Sequence, residues 1–262
     1  MMNEITVIKI GGSTFGQHDT TLDDLVTLQS EGVKLIVVHG GGATVTAWMK
    51  KQGIEAKFVR GERVTDRAAL EIATAVLSGL ANKELVAAIN LKGGRAAGIS
   101  GVDGALIESR LRNPEMGYVG DVVKVNTGIL QALLSAGFMP IVSPISLFSE
   151  GRNNDAPGFI NVNGDPIAGT IAAAMGAARL IYMTDVDGVK DSAGNRIKKM
   201  TAAEAEGLIQ SGVISGGMIP KITACLKAVM TGTRARIIDG TRPNALVKEM
   251  RGQDGGTTLC KE

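Results

Sequence analysis

The sequence is poor in the residue types that build disulfide frameworks, histidine metal sites and base-stacking surfaces. Its 262 residues include two cysteines, two histidines and 3% aromatic residues. Cys225 and Cys260 give neither a disulfide framework nor a metal-ligand spacing. With only two histidines, His18 and His39, the sequence argues against imidazole-based catalysis. No metal site made by protein side chains is predicted. The scarcity of aromatic rings argues against a surface on which nucleic-acid bases stack.

Charge and hydropathy exclude further classes of protein. The chain has 28 basic and 26 acidic residues, a net charge of +2, and no long run of one sign. This balance argues against a nucleic-acid groove or a polybasic membrane-binding surface. No stretch approaches the ~18 consecutive apolar residues of a membrane span, and the N-terminus does not resemble a signal sequence. We therefore expect a cytoplasmic protein of one large domain or two tightly joined ones.

Short apolar runs alternate with helical patterns, which predicts an α/β fold with a largely parallel sheet. The predicted strands are Ile5–Ile10, Lys34–Val38, Met139–Val142, Arg179–Met183 and Arg236–Ile238. One helix is predicted to begin near Asp66, a candidate N-cap, and others to cover Asp165–Met175 and Ala202–Ile209. In the first helix the apolar positions recur at spacings of three and four residues: Leu70, Ala73, Leu77, Ala81, Leu85 and Ala88.

The chain shows no linker between its two halves. The polar, turn-rich stretch Glu150–Phe159 predicts a hairpin-like excursion. Strand and helix alternation restarts near Gly176, which suggests a functional boundary there. Because no flexible segment separates residues 1–176 from residues 177–262, we expect both halves to share one continuous sheet.

Glycine is abundant where two predicted strands end. The 35 glycines are nearly twice the usual share of ~7%. One cluster, Gly11-Gly12, follows the first strand, and another, at residues 40–42, follows the second. Ligands of parallel sheets bind beyond the carboxyl ends of strands, where glycine N–H groups can converge on an anion. A single glycine pair equally makes a plain tight turn, but two consecutive clusters favour an anion site. P-loop and dinucleotide-binding fingerprints are absent.

Three charged residues are candidates for that site. Lys9 lies near the end of an apolar strand, where a lysine is costly unless an anion pairs with it. Lys221 follows glycines and, taken alone, is equally a solvated lysine in the first turn of a helix. Asp165 is compatible with a simple N-cap preceding Pro166. The asparagines ahead of it are harder to explain by capping alone.

Six motifs in order carry a family resemblance: KIGGS, HGGG, RVTD at Arg63–Asp66, NVNGD at Asn161–Asp165, TDVDGV at Thr184–Val189 and GGMIPK at Gly216–Lys221. Together they resemble the amino acid kinase family from residue 5 to the closing GGTTL, and most closely its members that act on N-acetyl-L-glutamate. GYVGDVVKVN at Gly117–Asn126 is typical of the same members. The resemblance implies a three-layer αβα sandwich whose central sheet is shared by an acceptor lobe, residues 1–176, and a nucleotide-binding lobe, residues 177–262.

The implied reaction transfers the γ-phosphoryl group of ATP to the side-chain carboxylate of N-acetyl-L-glutamate, the second step of arginine biosynthesis. A carboxylate with a pKa of ~4.3 is already ionised at neutral pH, so the reaction needs no general base. It needs cations and N–H donors that hold two anions together. By resemblance, Lys9 would contact the transferring phosphoryl group, Lys221 would stabilise the leaving oxygen, and Asp165 would organise both ammonium groups.

The remaining implied roles concern binding. Gly11, Gly12 and Gly41 would donate N–H groups to phosphoryl oxygens. Arg63 and Asn161 would hold the α-carboxylate, and Gly41 and Gly42 would shape the rest of the acceptor pocket. Two segments would lie beside the nucleotide, namely Asp185, Val186, Asp187, Gly188 and Val189, and then Val213, Ile214 and Ser215. Mg²⁺ would be held chiefly by ATP oxygens and water.

Two alternatives stay open at this point. Val102 stands where many kinases of N-acetylglutamate have lysine, and kinases of a carrier-bound 2-aminoadipate have an apolar residue. A kinase of carrier-linked aminoadipate or glutamate in lysine biosynthesis would need a basic rim for its acidic carrier; candidates are Lys57, Arg60, Arg110 and Arg112. A non-catalytic nucleotide-binding storage or sensor protein is the other alternative, against which the three charged residues argue.

The resemblance also carries expectations about assembly. Arginine-inhibited relatives begin with an additional helix that links dimers into hexamers, whereas four residues precede Ile5 here. Because four residues do not form a stable helix, we expect a two-fold homodimer without strong arginine inhibition. The expected interface is the long helix after Asp66, whose apolar stripe needs cover.

Overall fold

The computed structural model describes residues 4–11, 20–59, 61–253 and 255–261. Its strands are β1 (Ile5–Ile10), β2 (Lys34–His39), β3 (Phe58–Val59), β4 (Glu62–Arg63), β5 (Ala96–Gly101), β6 (Ile107–Leu111), β7 (Val119–Val125), β8 (Met139–Glu150), β9 (Phe159–Val162), β10 (Arg179–Thr184), β11 (Lys199–Thr201), β12 (Arg234–Asp239) and β13 (Thr257–Cys260). Its α-helices are α1 (Thr21–Ser30), α2 (Gly42–Lys51), α3 (Arg67–Thr74), α4 (Asn82–Leu91), α5 (Gly128–Ser135), α6 (Gly164–Ala174), α7 (Ala202–Gln210), α8 (Met218–Met230) and α9 (Ala245–Met250).

One largely parallel sheet forms the middle of three layers. Its strand order is β11-β13-β12-β10-β1-β2-β8-β6-β7-β9, with β5 beside β8; β3 and β4 form a separate hairpin. Successive side chains of β1 enter different apolar clusters, Val7 on the face of α6 and α8, and Ile8 on the face of α1, α4 and α9. This alternation follows from the two-residue period of a strand covered on both faces. The predicted αβα architecture is confirmed.

The sheet is continuous across the predicted boundary at Gly176. Strand β10, which follows it, pairs in parallel with β1, with Lys9 opposite Tyr182. The strands β1, β2, β10 and β12 lie side by side, so their carboxyl ends form one edge. Residues that follow β1 and β10 therefore lie at the same edge of the sheet.

All five predicted strands are present, and the largest difference concerns β8. It runs from Met139 to Glu150, well past the predicted end at Val142, because Pro144 interrupts the apolar run without ending the strand. Its first half pairs with β2 and β5, and its second half with β6 and β9. The antiparallel β8–β9 pair closes the predicted hairpin at Glu150–Phe159. Several other strands were not predicted, among them β6, in which only two of five residues, Ile107 and Leu111, are apolar.

The helix predicted after Asp66 is longer than an ordinary amphipathic helix. Asp66 caps it by accepting the N–H of Ala69 at 2.8 Å, and helical structure continues through a π-helical segment, Ala75–Ala81, to Leu91. Within the described chain, Arg67–Leu91 is the one helix that is long and apolar enough to cross a membrane. No such helix was expected from the sequence. The buried core helix of a soluble protein meets the same criterion of length and composition.

The apolar stripe of this long helix is covered within the chain. Leu70, Ala73, Leu77 and Leu85 are all buried against the protein's own core. The expectation that this stripe needs cover from a second subunit is therefore wrong. A different face, with Ala68, Ala75 and Gly79, is exposed.

Candidate active site

The candidate site lies at the carboxyl edge of the central strands, where α6 begins. Asn163, rather than Asp165, is the N-cap of α6, and its side chain accepts the N–H of Asp165 at 2.9 Å. Beneath it, the fully buried Tyr182 hydroxyl donates to the carbonyl oxygen of Asp165 at 2.7 Å. The backbone of Asp165 is therefore held from two sides, and its carboxylate projects from the first turn of the helix.

The carboxylate of Asp165 joins two lysines. Lys9 Nζ lies 2.7 Å from Oδ1, and Lys221 Nζ lies 2.9 Å from Oδ2. Lys9 comes from the end of β1 and Lys221 from the first turns of α8. All three side chains are largely buried, and the cluster carries one net positive charge. The structure thus brings together the three charged residues that the sequence analysis selected.

Burial and ion pairing act in opposite directions on Asp165. Burial raises the pKa of this carboxyl, but the charges and hydrogen bonds of Lys9 and Lys221 outweigh it and hold the pKa below its ordinary value. The carboxyl is therefore ionised at neutral pH, and each of its oxygens is occupied by an ammonium group. Such a carboxylate organises cations rather than abstracting a proton.

A cavity of about 210 Å³ opens beside Lys9. Its lining includes Gly41, Gly42, Arg63 and Asn161, all four of the predicted acceptor-binding residues. The volume lies below the ~300 Å³ at which ordinary ligand pockets begin, so the cavity has room for a small molecule only.

Arg63 is held in the wall of this cavity. Its guanidinium donates to the carbonyl of Gly42 at 2.8 Å and to the hydroxyl of Thr46 at 2.6 Å, and it lies over the ring of Phe58. Burial lowers the pKa of Arg63, yet a guanidinium stays charged in proteins. Asn161 donates its amide to Thr65 Oγ1 at 3.3 Å. Both polar side chains are thus fixed beside the cavity.

The three glycines predicted to bind phosphoryl oxygens, Gly11, Gly12 and Gly41, have different surroundings. Gly41 has φ +147°, a backbone conformation that residues with a side chain rarely adopt, and a Cβ there would lie 2.8 Å from Leu77 Cδ2, which would have to shift. The Gly11 N–H donates to the carbonyl of Met183 at 3.3 Å, which extends the β1–β10 ladder. Gly12, a predicted phosphoryl-binding residue, lies outside the described residues.

The two predicted nucleotide segments approach each other through the core. Val189 and Ile214 belong to the same buried apolar cluster, and the N–H of Val189 donates to Thr257 Oγ1 at 2.8 Å. Asp185 is exposed and accepts from the Thr184 hydroxyl. Asp187 lines a separate cavity of about 240 Å³ that does not include Lys221.

Sequence reasoning missed an ionic cluster at the mouth of the site. Arg112 pairs with Glu62 and, at 2.7 Å, with Asp121, and Asn163 donates to Glu62 at 3.3 Å. These side chains line a wider cleft, of about 840 Å³, that reaches Asp165 and Lys221. Residues so distant in the chain give no local pattern that predicts their meeting. Arg112, weighed as a free cation for an acidic carrier, is neutralised by two carboxylates.

Within the described ranges, no three histidine, cysteine, aspartate or glutamate side chains form a group able to hold a metal ion.

Comparison with known proteins adds three findings. A model of the amino acid kinase family matches residues 4–239. The chain is similar to an acetylglutamate kinase of Dehalococcoides mccartyi, with 48% identity over 98% of this chain and 94% of that protein, and to one of Cereibacter sphaeroides, with 42% identity over 98% and 87%. Among solved structures it resembles a protein from Streptococcus mutans at a TM-score of 0.84, with 27% identity and full coverage of both chains.

Proposed function

The chain belongs to the amino acid kinase family, and from this premise we propose that it transfers the γ-phosphoryl group of ATP to the side-chain carboxylate of N-acetyl-L-glutamate, a step of arginine biosynthesis. Relatives named acetylglutamate kinase, 40–49% identical over nearly the whole chain, support this acceptor. The structural observation that carries the proposal is the carboxylate of Asp165 between Lys9 and Lys221, beside a cavity that also contains Arg63.

In this reaction the site neutralises charge rather than moving a proton. The acceptor carboxylate is ionised at neutral pH and attacks without a base. Lys9 would contact the transferring phosphoryl group from the acceptor side. Lys221 would meet the leaving β–γ bridging oxygen from the other side, and Asp165 would hold both ammonium groups in place. Cations fixed in advance stabilise charge that spreads over the oxygens in the transition state.

Binding of the acceptor would use the cavity wall. Arg63 and Asn161 would hold the α-carboxylate, while Gly41 and Gly42 leave room for the rest of the molecule. The N–H of Gly41 would donate to a phosphoryl oxygen, as would those of Gly11 and Gly12. The ladder bond of Gly11 to Met183 is long at 3.3 Å, so exchanging it for a bond to an anion costs little.

The nucleotide would lie along residues 185–189 and 213–215, in the half of the chain after Gly176. This assigns residues 1–176 to the acceptor and residues 177–262 to ATP. Mg²⁺ would be held by phosphate oxygens and water, since both oxygens of Asp165 are occupied by lysines. When bound, the ion supplies further neutralisation of phosphate charge.

We further propose a cytoplasmic homodimer formed through the acceptor half. Support comes from the exposed face of the long helix, where Ala68, Ala75 and Gly79 present small side chains at helical spacing. Small, uncharged residues allow two helices to approach closely, and a two-fold interface uses the same patch twice.

The carrier-linked alternative is weaker than the sequence suggested. Of the four cations proposed for a carrier-binding rim, Arg112 is paired with Glu62 and Asp121. Lys57 and Arg110 are exposed, and Arg60 lies outside the described residues. A surface for an acidic protein needs an excess of positive charge, and Glu62 and Asp121 halve the excess that the four cations of this rim would otherwise give.

An acceptor screen tests the proposal. The chain is incubated with ATP, Mg²⁺ and one acceptor, and the acyl phosphate is trapped with hydroxylamine as a coloured hydroxamate. We expect turnover with N-acetyl-L-glutamate and little with free glutamate or N-acetyl-L-aspartate. Preference for a carrier-linked aminoadipate would overturn the proposed acceptor, and no product with any acceptor would favour a nucleotide-binding storage or sensor protein.

A further inference from the structure

His39 is a buried titratable residue that the proposed reaction does not use directly. It ends β2, immediately before the glycines at positions 40–42, and its side chain is almost fully buried. One ring nitrogen, Nδ1, lies 2.7 Å from the carbonyl oxygen of Gly40. Because a carbonyl oxygen only accepts, Nδ1 must carry a proton.

The other ring nitrogen meets Asn82. Nε2 of His39 lies 3.1 Å from Asn82 Nδ2, which also donates to the carbonyl of Ile141 at 2.9 Å. Asn82 Oδ1 accepts from Lys83 Nζ at 3.0 Å. With both amide hydrogens directed at Ile141 and His39, Nε2 must be an unprotonated acceptor. The network therefore selects one neutral tautomer of the imidazole.

Protonation of His39 would break this network. A hydrogen on Nε2 would face the amide hydrogens of Asn82, and turning that amide over would set its oxygen against the Ile141 carbonyl. Burial lowers the pKa of His39 further, as do the positive charges of Lys9 and Lys83, although the bond to Gly40 opposes them. The imidazole is thus kept neutral at physiological pH.

The π-helical segment before Asn82 places this residue. Hydrogen bonds in a π-helix join residues five apart and bring them toward the same face. Leu77 and Asn82 are five apart; Leu77 Cδ2 lies against Gly41, and Asn82 against His39. The same stretch of helix therefore contacts both Gly41 and His39, the residue that precedes the glycine segment.

The hydrogen bond from His39 to Gly40 fixes the orientation of the Gly40–Gly41 peptide group. In a trans peptide the C=O and the following N–H point in opposite directions. With the Gly40 carbonyl held by the His39 ring, the N–H of Gly41 points away from that ring. Gly40 and Gly41 line the cavity beside Lys9, whereas His39 does not. Within the described chain the Gly41 N–H donates to no protein acceptor.

We infer that His39, held as its Nδ1–H tautomer by Asn82, is a positioning residue that fixes the Gly40–Gly41 peptide so that the Gly41 N–H is directed at the transferred phosphoryl group. The inference rests on the proposed function for the identity of that group. It assigns to the imidazole a structural hydrogen bond that acts on turnover through the backbone, without contact to either substrate.

Two substitutions of similar size separate this role from mere packing. Asparagine at position 39 places an amide N–H near the site of Nδ1 and can still hold the Gly40 carbonyl. Glutamine extends its amide to the site of Nε2 and keeps only the contact with Asn82. We expect His39→Gln to lower kcat by roughly 10²-fold, the scale of one lost oxyanion donor, and His39→Asn to be about tenfold faster than His39→Gln. The KM for the acceptor should stay near the wild-type value in both.

The tautomer is measured on the unaltered chain. With ¹⁵N-labelled histidine, the resonances of His39 should be those of the Nδ1–H tautomer between about pH 6 and pH 8. An Nε2–H or doubly protonated ring would overturn the inference even where a variant fails to fold, and so would equal loss of kcat in the two variants.

Failure of the proposed function is recognised separately. If the wild-type chain makes no acyl phosphate, the reaction is wrong, and the backbone amide resonance of Gly41 decides the inference. It should move in His39→Gln and stay in place in His39→Asn; the same shift in both variants would contradict the inference.

Discussion

The ammonium group of Lys9 lies 2.7 Å from a carboxylate oxygen of Asp165, and both side chains are less than a tenth exposed. Lysine at the end of an apolar strand is costly without an anion, and the structure supplies that anion from the start of α6. The second carboxylate oxygen of Asp165 pairs with Lys221. Three residues far apart in the chain therefore form one ionic cluster, and removing any of them changes its net charge.

Replacing the carboxylate should damage both stability and turnover. In Asp165→Asn the two lysines lose their buried counter-charge, and breaking a buried ion pair costs about 3 kcal/mol or more. We expect the free energy of unfolding in urea to fall by that order and phosphoryl transfer to be nearly lost. An Asp121→Asn variant, which removes a partly exposed carboxylate, is the control and should unfold close to wild type.

Acid should weaken the same cluster. The folded-state pKa of Asp165 lies below its ordinary value, so the unfolded chain binds this proton first as pH falls. The contribution to stability is complete above the ordinary aspartate pKa of ~3.9 and is lost as pH falls through the lowered folded value. Unfolding curves of wild type and Asp165→Asn should converge over that acidic range. Parallel curves there would contradict the assignment.

Removing either lysine should act on turnover. Lys9→Ala and Lys221→Ala should each lower kcat by roughly 10²–10³, as expected when a fixed donor to transition-state charge is removed. Lys227→Ala is a matched control, since Lys227 is exposed on the same helix as Lys221 and lines the wider cleft. Near-normal kcat in either active-site variant would show that the lysine is misplaced in the proposed reaction.

Arg63 should act on binding of the acceptor. Its proposed partner, the α-carboxylate, does not change charge during the reaction, so Arg63→Ala should mainly raise the KM for N-acetyl-L-glutamate. The expected rise is roughly 10- to 100-fold, the worth of a hydrogen bond to a charged group. Steady-state kinetics with Arg110→Ala as control measures it, and a lower kcat at unchanged KM would argue against this role.

The assembly is tested by light scattering. Wild type should have the mass of a dimer, and Ala75→Arg, which places a charge on the exposed face of the long helix, should shift it toward a monomer with its helical content intact. A monomeric wild type would show that the chain does not form the proposed dimer. An unaltered dimer in Ala75→Arg would place the interface on another surface.

Local pattern in the sequence was sufficient for much of the fold. The strand Ile5–Ile10 and the cap at Asp66 were predicted because apolar runs and capping residues act on their immediate neighbours. Glycines at the ends of β1 and β2 predicted a binding edge for a general reason, since parallel strands carry ligand sites at their carboxyl ends. The ordered motifs, rather than any single residue, indicated the family.

Contacts between distant segments were decided by the tertiary structure alone. Nothing in the sequence near Arg112 shows that Glu62 and Asp121 neutralise it, and nothing near His39 shows that Asn82 fixes its tautomer. The apolar stripe of the long helix has the same pattern whether its own core or a second subunit covers it. Periodicity specifies which face of an element is apolar, but the partner of that face, and the pairing of each buried charge, is set only when the sheet brings remote segments together.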